Sequence, residues 1–98
     1  MSGYTLSPRA IRDLEEIWDF TASTWSIDQA ERYIRQIEST IAEIAAKPSI
    51  ARPCDAIRTG YFKHPVGSHV LFFRMVPAGI GIVRILHGRM DFDRHLHG

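Results

Sequence analysis

Between Ile57 and Arg89 the chain carries five cations, Arg58, Lys63, Arg74, Arg84 and Arg89, and no carboxylate. Ten of the twelve basic side chains in the whole sequence are Arg. A guanidinium offers two parallel N–H donors to a carboxylate or a phosphate, and an ammonium cannot. The stretch therefore suits an anionic partner, either nucleic acid or an acidic protein segment. Arg84 could clamp a phosphate or anchor a partner's carboxylate. His87 stands among these cations, and an ordinary imidazole titrates near neutrality. It could serve as a general base, or simply end a strand bonded to backbone. Arg74, Arg84, His87, Arg89 and Asp91 are the groups near the C-terminus that could do chemistry.

The charge is unevenly divided. Residues 1–47 hold five basic against eight acidic side chains, and residues 48–98 hold seven against three. All five histidines lie in the second half. Net charge is only +1, so the asymmetry and not the total carries the information. His95 and His97 are spaced for a metal only weakly, since no Cys or acidic cluster completes a site. Cys54 sits in a Pro-flanked loop and reads as a bystander. No cofactor is implied. Trp18 and Trp25 read as core, whereas Phe20 lies off the apolar stripe of its helix and reads as an exposed contact residue. Tyr61 and Phe62 beside Lys63 could stack on bases, but one of the two is expected in the sheet core.

The elements that must position these residues follow from periodicity. Residues 57–89 are rich in β-branched and apolar types, with turn signals at His64-Pro65-Val66-Gly67 and Pro77-Ala78-Gly79. Three short antiparallel strands result. Strict alternation sets His69, Leu71, Phe73 and Met75 against Val70, Phe72, Arg74 and Val76. In the last strand it sets Ile80, Ile82, Arg84 and Leu86 against Gly81, Val83, Ile85 and His87. Both faces are then largely apolar, so both need covering.

Upstream, Tyr4-Thr5-Leu6 can add a strand to this sheet. Ser7-Pro8 starts a helix with an N-cap and a proline at its first position. Its apolar stripe is Ala10, Ile11, Leu14, Ile17, Trp18, Thr21, Ala22 and Trp25, with Arg9, Arg12, Asp13, Glu16 and Asp19 on the opposite face. Ser26 to Gln29 is a capping box opening a second helix, which Pro48 ends near Lys47. So short a break makes the two helices an antiparallel hairpin. Residues 48–56 contain two prolines and are expected to be irregular. The hairpin can cover one face of the sheet. Nothing else in the pattern covers the other, which is the first suggestion of an obligatory partner.

At 98 residues the chain has room for a single domain, residues 1–98, with one modest core. No apolar run approaches the roughly 20 residues of a membrane span. The opening MSGYTLSPRA has no apolar signal core, and a lone Cys fits a reducing cytoplasm, so a cytoplasmic protein without membrane attachment is expected.

The order strand, two helices, loop, three strands resembles the RelE/ParE superfamily of toxin–antitoxin toxins over nearly the whole chain. LSPRAIRDLEEIWDFTASTW, then QAERYI, IRTGYFKHPVGSHVLFFR and VRILHGRMDFDRHL, are similar to the ParE branch in order and spacing. The resemblance implies an α+β fold, β-α-α-β-β-β, with the helical hairpin packed on a small, mostly antiparallel sheet. It implies the toxic half of a two-protein module, neutralised by a ParD-like antitoxin. That partner's ribbon-helix-helix half would bind operator DNA, so the toxin would meet the operator only through it. The implied target is DNA gyrase, inhibited by binding and not by turnover.

The alternative on the same fold is a ribosome-dependent mRNA endonuclease of the RelE type. That reaction needs a base, an acid and a cation at the scissile phosphate. Its relatives often place a tyrosine late in the chain, whereas the last tyrosine here is Tyr61. A third possibility is a non-toxic remnant that only tunes its operon. Phe20, Arg58, Lys63, Arg74, Arg84, His87 and Arg89 are the candidate contacts for antitoxin or target, and no residue is assigned to catalysis or to a metal.

Overall fold

The computed structural model describes residues 3–90 and 92–97, with the backbone alone at Asp93 and His97. Asp91, weighed above as a chemical group, lies outside the described residues. The elements are β1 (Gly3–Leu6), α1 (Pro8–Thr24), α2 (Ile27–Ala46), a 3-10 turn (Pro48–Ile50), β2 (Arg52–Pro53), β3 (Tyr61–Val66), β4 (His69–Val76), β5 (Gly79–His87) and α3 (Phe92–His97). One five-stranded sheet has the order β1-β5-β4-β3-β2. β1 runs parallel to β5, and the remaining pairs are antiparallel.

The N-terminal strand is thus an added strand of the sheet, as its residue types predict. Gly79 allows the close approach. Its φ is +145°, and a Cβ there would run into the backbone of Gly3. Ser7 then joins strand to helix. Its Oγ accepts from the Ala10 N–H at 3.0 Å and donates to the Val83 carbonyl at 2.7 Å, while its own N–H reaches the Ile82 carbonyl at 2.9 Å. Ser26 caps α2 by accepting from the Gln29 N–H at 3.0 Å.

Ala10, Ile17, Ile37, Ile41, Ile44 and Ala45 of the hairpin meet Leu71, Phe73, Ile80, Ile82 and Ile85 of the sheet in the main core. Phe62 stacks on Phe73 at 5.4 Å and packs against this core. Four expectations need correction. First, Trp25 is 74% exposed at the hairpin tip: it is the C-cap of α1, where the backbone has left the helix and the stripe no longer sets the side chain's direction. Second, the loop contains structure: the 3-10 turn follows Pro48, and Arg52–Pro53 pairs with Lys63–Phe62 as an edge strand, where Pro53's missing N–H is harmless.

Third, the far face of the sheet is covered from within. Phe72 and Leu86 pack with Leu96 of α3 and Cys54 of the loop, with Ile57, Tyr61, Val70 and Phe92 around them. The Phe92 ring meets Phe72 edge-on at 4.9 Å. An open sheet face therefore gives no argument for a partner. Fourth, β5 does not alternate strictly. Phe72 faces Arg84 but Phe73 faces Ile82, so Val83 is one extra residue. With a side-chain period of two, one inserted residue exchanges the faces of everything beyond it. Ile85 and His87 join Ile80 and Ile82 on the hairpin side, and Arg84 and Leu86 register with the tail side.

Candidate functional site

The pairing of β1 with β5 stops at Leu6 and Ile82, which leaves the outer edge of β5 without a strand beyond that point. Asp13 fills it. Its Oδ2 accepts from the Ile85 N–H at 2.9 Å and from Arg84 Nε at 2.8 Å, and its Oδ1 accepts from Arg84 Nη2 at 3.0 Å. The carboxylate is buried, which such a charge tolerates only when paired and hydrogen-bonded. The Asp13 hydrogen bonds, ahead of the opposing cost of burial, raise the Arg84 pKa. Arg84 is thus bound inside the fold, not presented as an open anchor for a partner's carboxylate. Asp13, expected on the solvent face, lies between Ala10 and Ile17 at helical spacing, and all three are buried. That spacing was the signal available in the sequence.

On the hairpin side of this pair a cleft of ≈ 560 Å³ opens between the hairpin tip and the ends of β4 and β5. Phe20, 67% exposed, and Trp25 form its lip with Met90, while Ile17, Ile85, Asp13 and Glu16 lie along it. Its far wall is Tyr33, Ser68, His69 and His87. Phe20 is exposed, as its position off the stripe predicts. No Arg or Lys lines the cleft among the described residues.

Tyr33 holds that wall in place. Its Oη accepts from the Ser68 N–H at 3.0 Å, lies 2.6 Å from His69 Nδ1, and lies 3.2 Å from the Val66 carbonyl. A phenol has one proton. If it goes to His69, the imidazole is neutral and accepts at Nδ1; if it goes to Val66, Nδ1–H donates to Oη. Either arrangement ties α2 to the turn between β3 and β4. Gly67 makes room, since its φ is +56° and a Cβ would lie 2.5 Å from the Tyr33 ring. Burial raises the Tyr33 pKa. Burial also lowers that of His69, and the neighbouring His87, whose ring lies 5.3 Å away edge-on, lowers it further. His87 accepts at Nδ1 from the Arg89 N–H at 3.1 Å, the backbone-bonded strand-end arrangement.

On the tail side, a second pocket of ≈ 310 Å³ gathers Arg58 and Arg84 with Arg9, Arg94, His95 and Tyr61. Arg58 Nη1 donates to the Leu96 carbonyl at 2.8 Å, and its guanidinium lies 5.1 Å above the Tyr61 ring. Lys63 stands elsewhere, beside Arg52 and His64 at the β2–β3 edge. Arg74 and Arg89 are exposed and line none of these openings. The basic row of the sequence is therefore split. Phe20 and His87 line the cleft, Arg58 and Arg84 line the second pocket, and Lys63, Arg74 and Arg89 stand apart. Tyr33, His69, Trp25, Met90, Arg9 and Arg94 were not singled out as site residues, because they come from elements whose meeting is set by packing. Among the described residues no group of three or more His, Cys, Asp and Glu could hold a metal, and the His97 side chain lies outside them. Cys54 is buried, which pushes its thiol pKa up.

Comparison with solved structures defines the class first. The fold matches a chain of the chromosomal ParDE toxin–antitoxin system from P. aeruginosa with a TM-score of 0.77 at 17% identity, covering 89% of this chain and 96% of that one. It matches a chain of the YoeB–YefM complex from Staphylococcus aureus with a TM-score of 0.59 at 15% identity, covering 89% and 97%. At those identities the likeness is one of fold alone, an α+β fold shared with both chains.

Sequence then supplies the family. The profile for the ParE toxin of the type II toxin–antitoxin system parDE matches residues 4–92. Toxin ParE1 of Mycobacterium tuberculosis (strain CDC 1551 / Oshkosh) is 53% identical over 96 residues, 97% of this chain and 98% of that protein. Toxin ParE1 of Caulobacter vibrioides is 40% identical, covering 98% and 99%. The chain belongs to the ParE toxin family of type II toxin–antitoxin systems.

Proposed function

We propose that this toxin acts in the cytoplasm by binding DNA gyrase, without turnover, and that a ParD-like antitoxin silences it by laying an apolar segment into the hairpin-side cleft. The carrying observation is the cleft lip. Phe20, Trp25 and Met90 are 67%, 74% and 45% exposed around one opening, in a chain whose two sheet faces are otherwise covered. Large aromatic side chains standing together in water are what an amphipathic segment covers. Operator DNA would be reached through the antitoxin alone. No helix among the described residues is long and apolar enough to cross a membrane.

Electrostatics supports binding over cleavage at this cleft. Phosphoryl chemistry needs a cation where charge develops on the phosphate. No Arg or Lys among the cleft's described lining residues supplies that cation, and the exposed carboxylate along it is that of Glu16. Both histidines already have a hydrogen-bonding partner at Nδ1.

The test is supercoiling by purified gyrase with and without the protein. Dose-dependent loss of supercoiling is expected, together with filamentous cells when the toxin is expressed alone. Unimpaired supercoiling combined with rapid cutting of messages would replace this reading with the RelE-type endonuclease. Absence of any growth defect would replace it with the operon-tuning remnant.

A further inference from the structure

The apolar lip of the cleft stands in an acidic stretch of the chain. From Asp13 to Glu31 the sequence holds six carboxylates, Asp13, Glu15, Glu16, Asp19, Asp28 and Glu31, and no Arg or Lys. That run covers most of α1, the hairpin tip and the start of α2. Asp13 is already held by Arg84, and Asp28 sits in the first turn of α2, where the helix dipole favours an acid. Glu16 and Asp19 are exposed, and neither is in an ion pair among the described residues. Arg12, spaced i,i+4 from Glu16, makes no ion pair with it. The Arg84 pKa is raised first by its Asp13 hydrogen bonds and least by the charge of Glu16, so Arg84 answers Asp13 and only faintly Glu16.

Placement turns these acids into part of the cleft. Glu16, Asp19 and Phe20 are three and four residues apart, hence neighbours on one face of α1. Glu16 and Phe20 line the cleft. α1 ends with no basic residue in its last turn, so the negative end of its dipole is not compensated there by its own side chains. Trp25 caps that end and is exposed, and an indole face attracts a cation. Across the cleft the histidines add no positive charge. Burial, and then the neighbouring His87, lower the pKa of His69. His87 accepts at Nδ1, which only a neutral imidazole can do. The carboxylates, the helix end and the indole all call for positive charge beside aromatic rings.

An acidic segment would bring its charges against Glu16, Asp19 and the end of α1, which costs affinity. We infer that the segment entering this cleft is basic as well as apolar: a stretch of the antitoxin whose apolar anchors seat among Phe20, Trp25 and Met90 and whose Lys or Arg side chains reach Glu16 and Asp19. The inference rests on the reading that the antitoxin occupies the cleft, and it adds the sign of the charge that the antitoxin brings. Glu16 and Asp19 are then specificity determinants, because they turn away a like-charged segment.

The test is calorimetric titration of the whole toxin with the full-length co-encoded antitoxin, at physiological and at high ionic strength. Glu16→Lys combined with Asp19→Lys should weaken binding about tenfold or more, since attraction becomes repulsion at the rim of the cleft. Glu16→Gln alone should weaken it less, in the same direction. High salt should weaken the parent complex more than that of the double variant. Glu43→Lys, on α2 and outside the cleft, should leave affinity within about twofold, because salt screens charges that stand apart from the contact. Lys at exposed helix positions is as good a helix former as Glu and better than Asp, so misfolding will not mimic the loss. Exchanging the basic side chains of the antitoxin segment for Glu should restore binding to the double variant.

Unchanged or tighter binding by the charge variants, with Trp25→Ala still weakening it, would overturn the inference and keep the cleft reading. Trp25→Ala without effect would remove the cleft reading, and this inference with it. Equal losses from Glu43→Lys and from the double variant would reduce the effect to net charge and overturn the assignment. Charge variants that bind antitoxin as the parent does but no longer inhibit gyrase would give this rim to the target instead.

Discussion

The two openings of this molecule share one wall and have opposite characters. The hairpin-side cleft is apolar, carries Asp13 and Glu16, and has no Arg or Lys among its described lining residues. The tail-side pocket is lined by four arginines and has no carboxylate among its described lining residues. Between them stands the Asp13–Arg84 pair, its acid on the cleft side and its guanidinium on the pocket side. The sorting follows from the extra residue at Val83, which turns Arg84 toward the tail and Ile85 and His87 toward the hairpin. A single inserted residue in one strand thus separates an aromatic, acid-bearing cleft from an arginine-lined pocket.

The largest expected effect comes from breaking the shared wall. Asp13→Ala would leave Arg84 buried without its partner and the Ile85 N–H without an acceptor. Removing one side of such a pair costs about 3–5 kcal/mol. That is a large share of the 5–15 kcal/mol typical of a domain. Urea unfolding should show it, and Asp13→Leu with Arg84→Met should recover much of the loss. A single variant as stable as the parent would mean the pair is not a structural wall.

The cleft is next. Trp25→Ala should weaken antitoxin binding by about 2 kcal/mol or more, the scale of an interface hot spot. Because Trp25 is 74% exposed, the free protein should stay within about 0.5 kcal/mol of its original stability. Calorimetric titration with the co-encoded antitoxin, set beside a urea melt, checks both halves of this expectation. Gly67→Ala should follow, at about 1–3 kcal/mol of stability, since it forces a side chain into a positive-φ position and against the Tyr33 ring. A melt unchanged by that substitution would show that the wall of the cleft is loosely held.

The smallest effect is one of pH. His69 has its pKa lowered below 6.5, chiefly by burial, so the unfolded chain binds the proton more readily. Its contribution to stability is complete above about pH 6.5 and is lost as the pH falls through the lower folded value. Urea melts across that window should show stability falling with acidity, and His69→Gln should flatten the slope. The Arg9-bearing pocket should not respond to that substitution, which separates the two regions once more.

Much of this architecture was legible in the residues themselves. Ser7-Pro8 and Ser26 mark the starts of both helices, Gly67 and Gly79 mark the turns, and Tyr4-Thr5-Leu6 reads as an added strand, all as observed. Phe20 was placed correctly on an exposed face because a helical wheel depends only on neighbours in sequence. Trp25 was misplaced because the stripe was carried one residue past Thr24, where the backbone is no longer helical. The site was less legible than the fold. Arg84, read as an anchor for another molecule, is held by an acid 71 positions earlier in the chain. The pocket around it draws on elements from both ends of the sequence.

The local pattern alone determined the two capped helices, the hydrophobic strands, the uneven charge and the ordered motifs that mark a ParE toxin, because each depends on residues a few positions apart. Only the folded chain decided which side of β5 each residue faces, where α3 returns, and which acid meets Arg84. Alternation along a strand has no way to register one surplus residue until the neighbouring strand supplies the hydrogen-bond ladder against which it is counted.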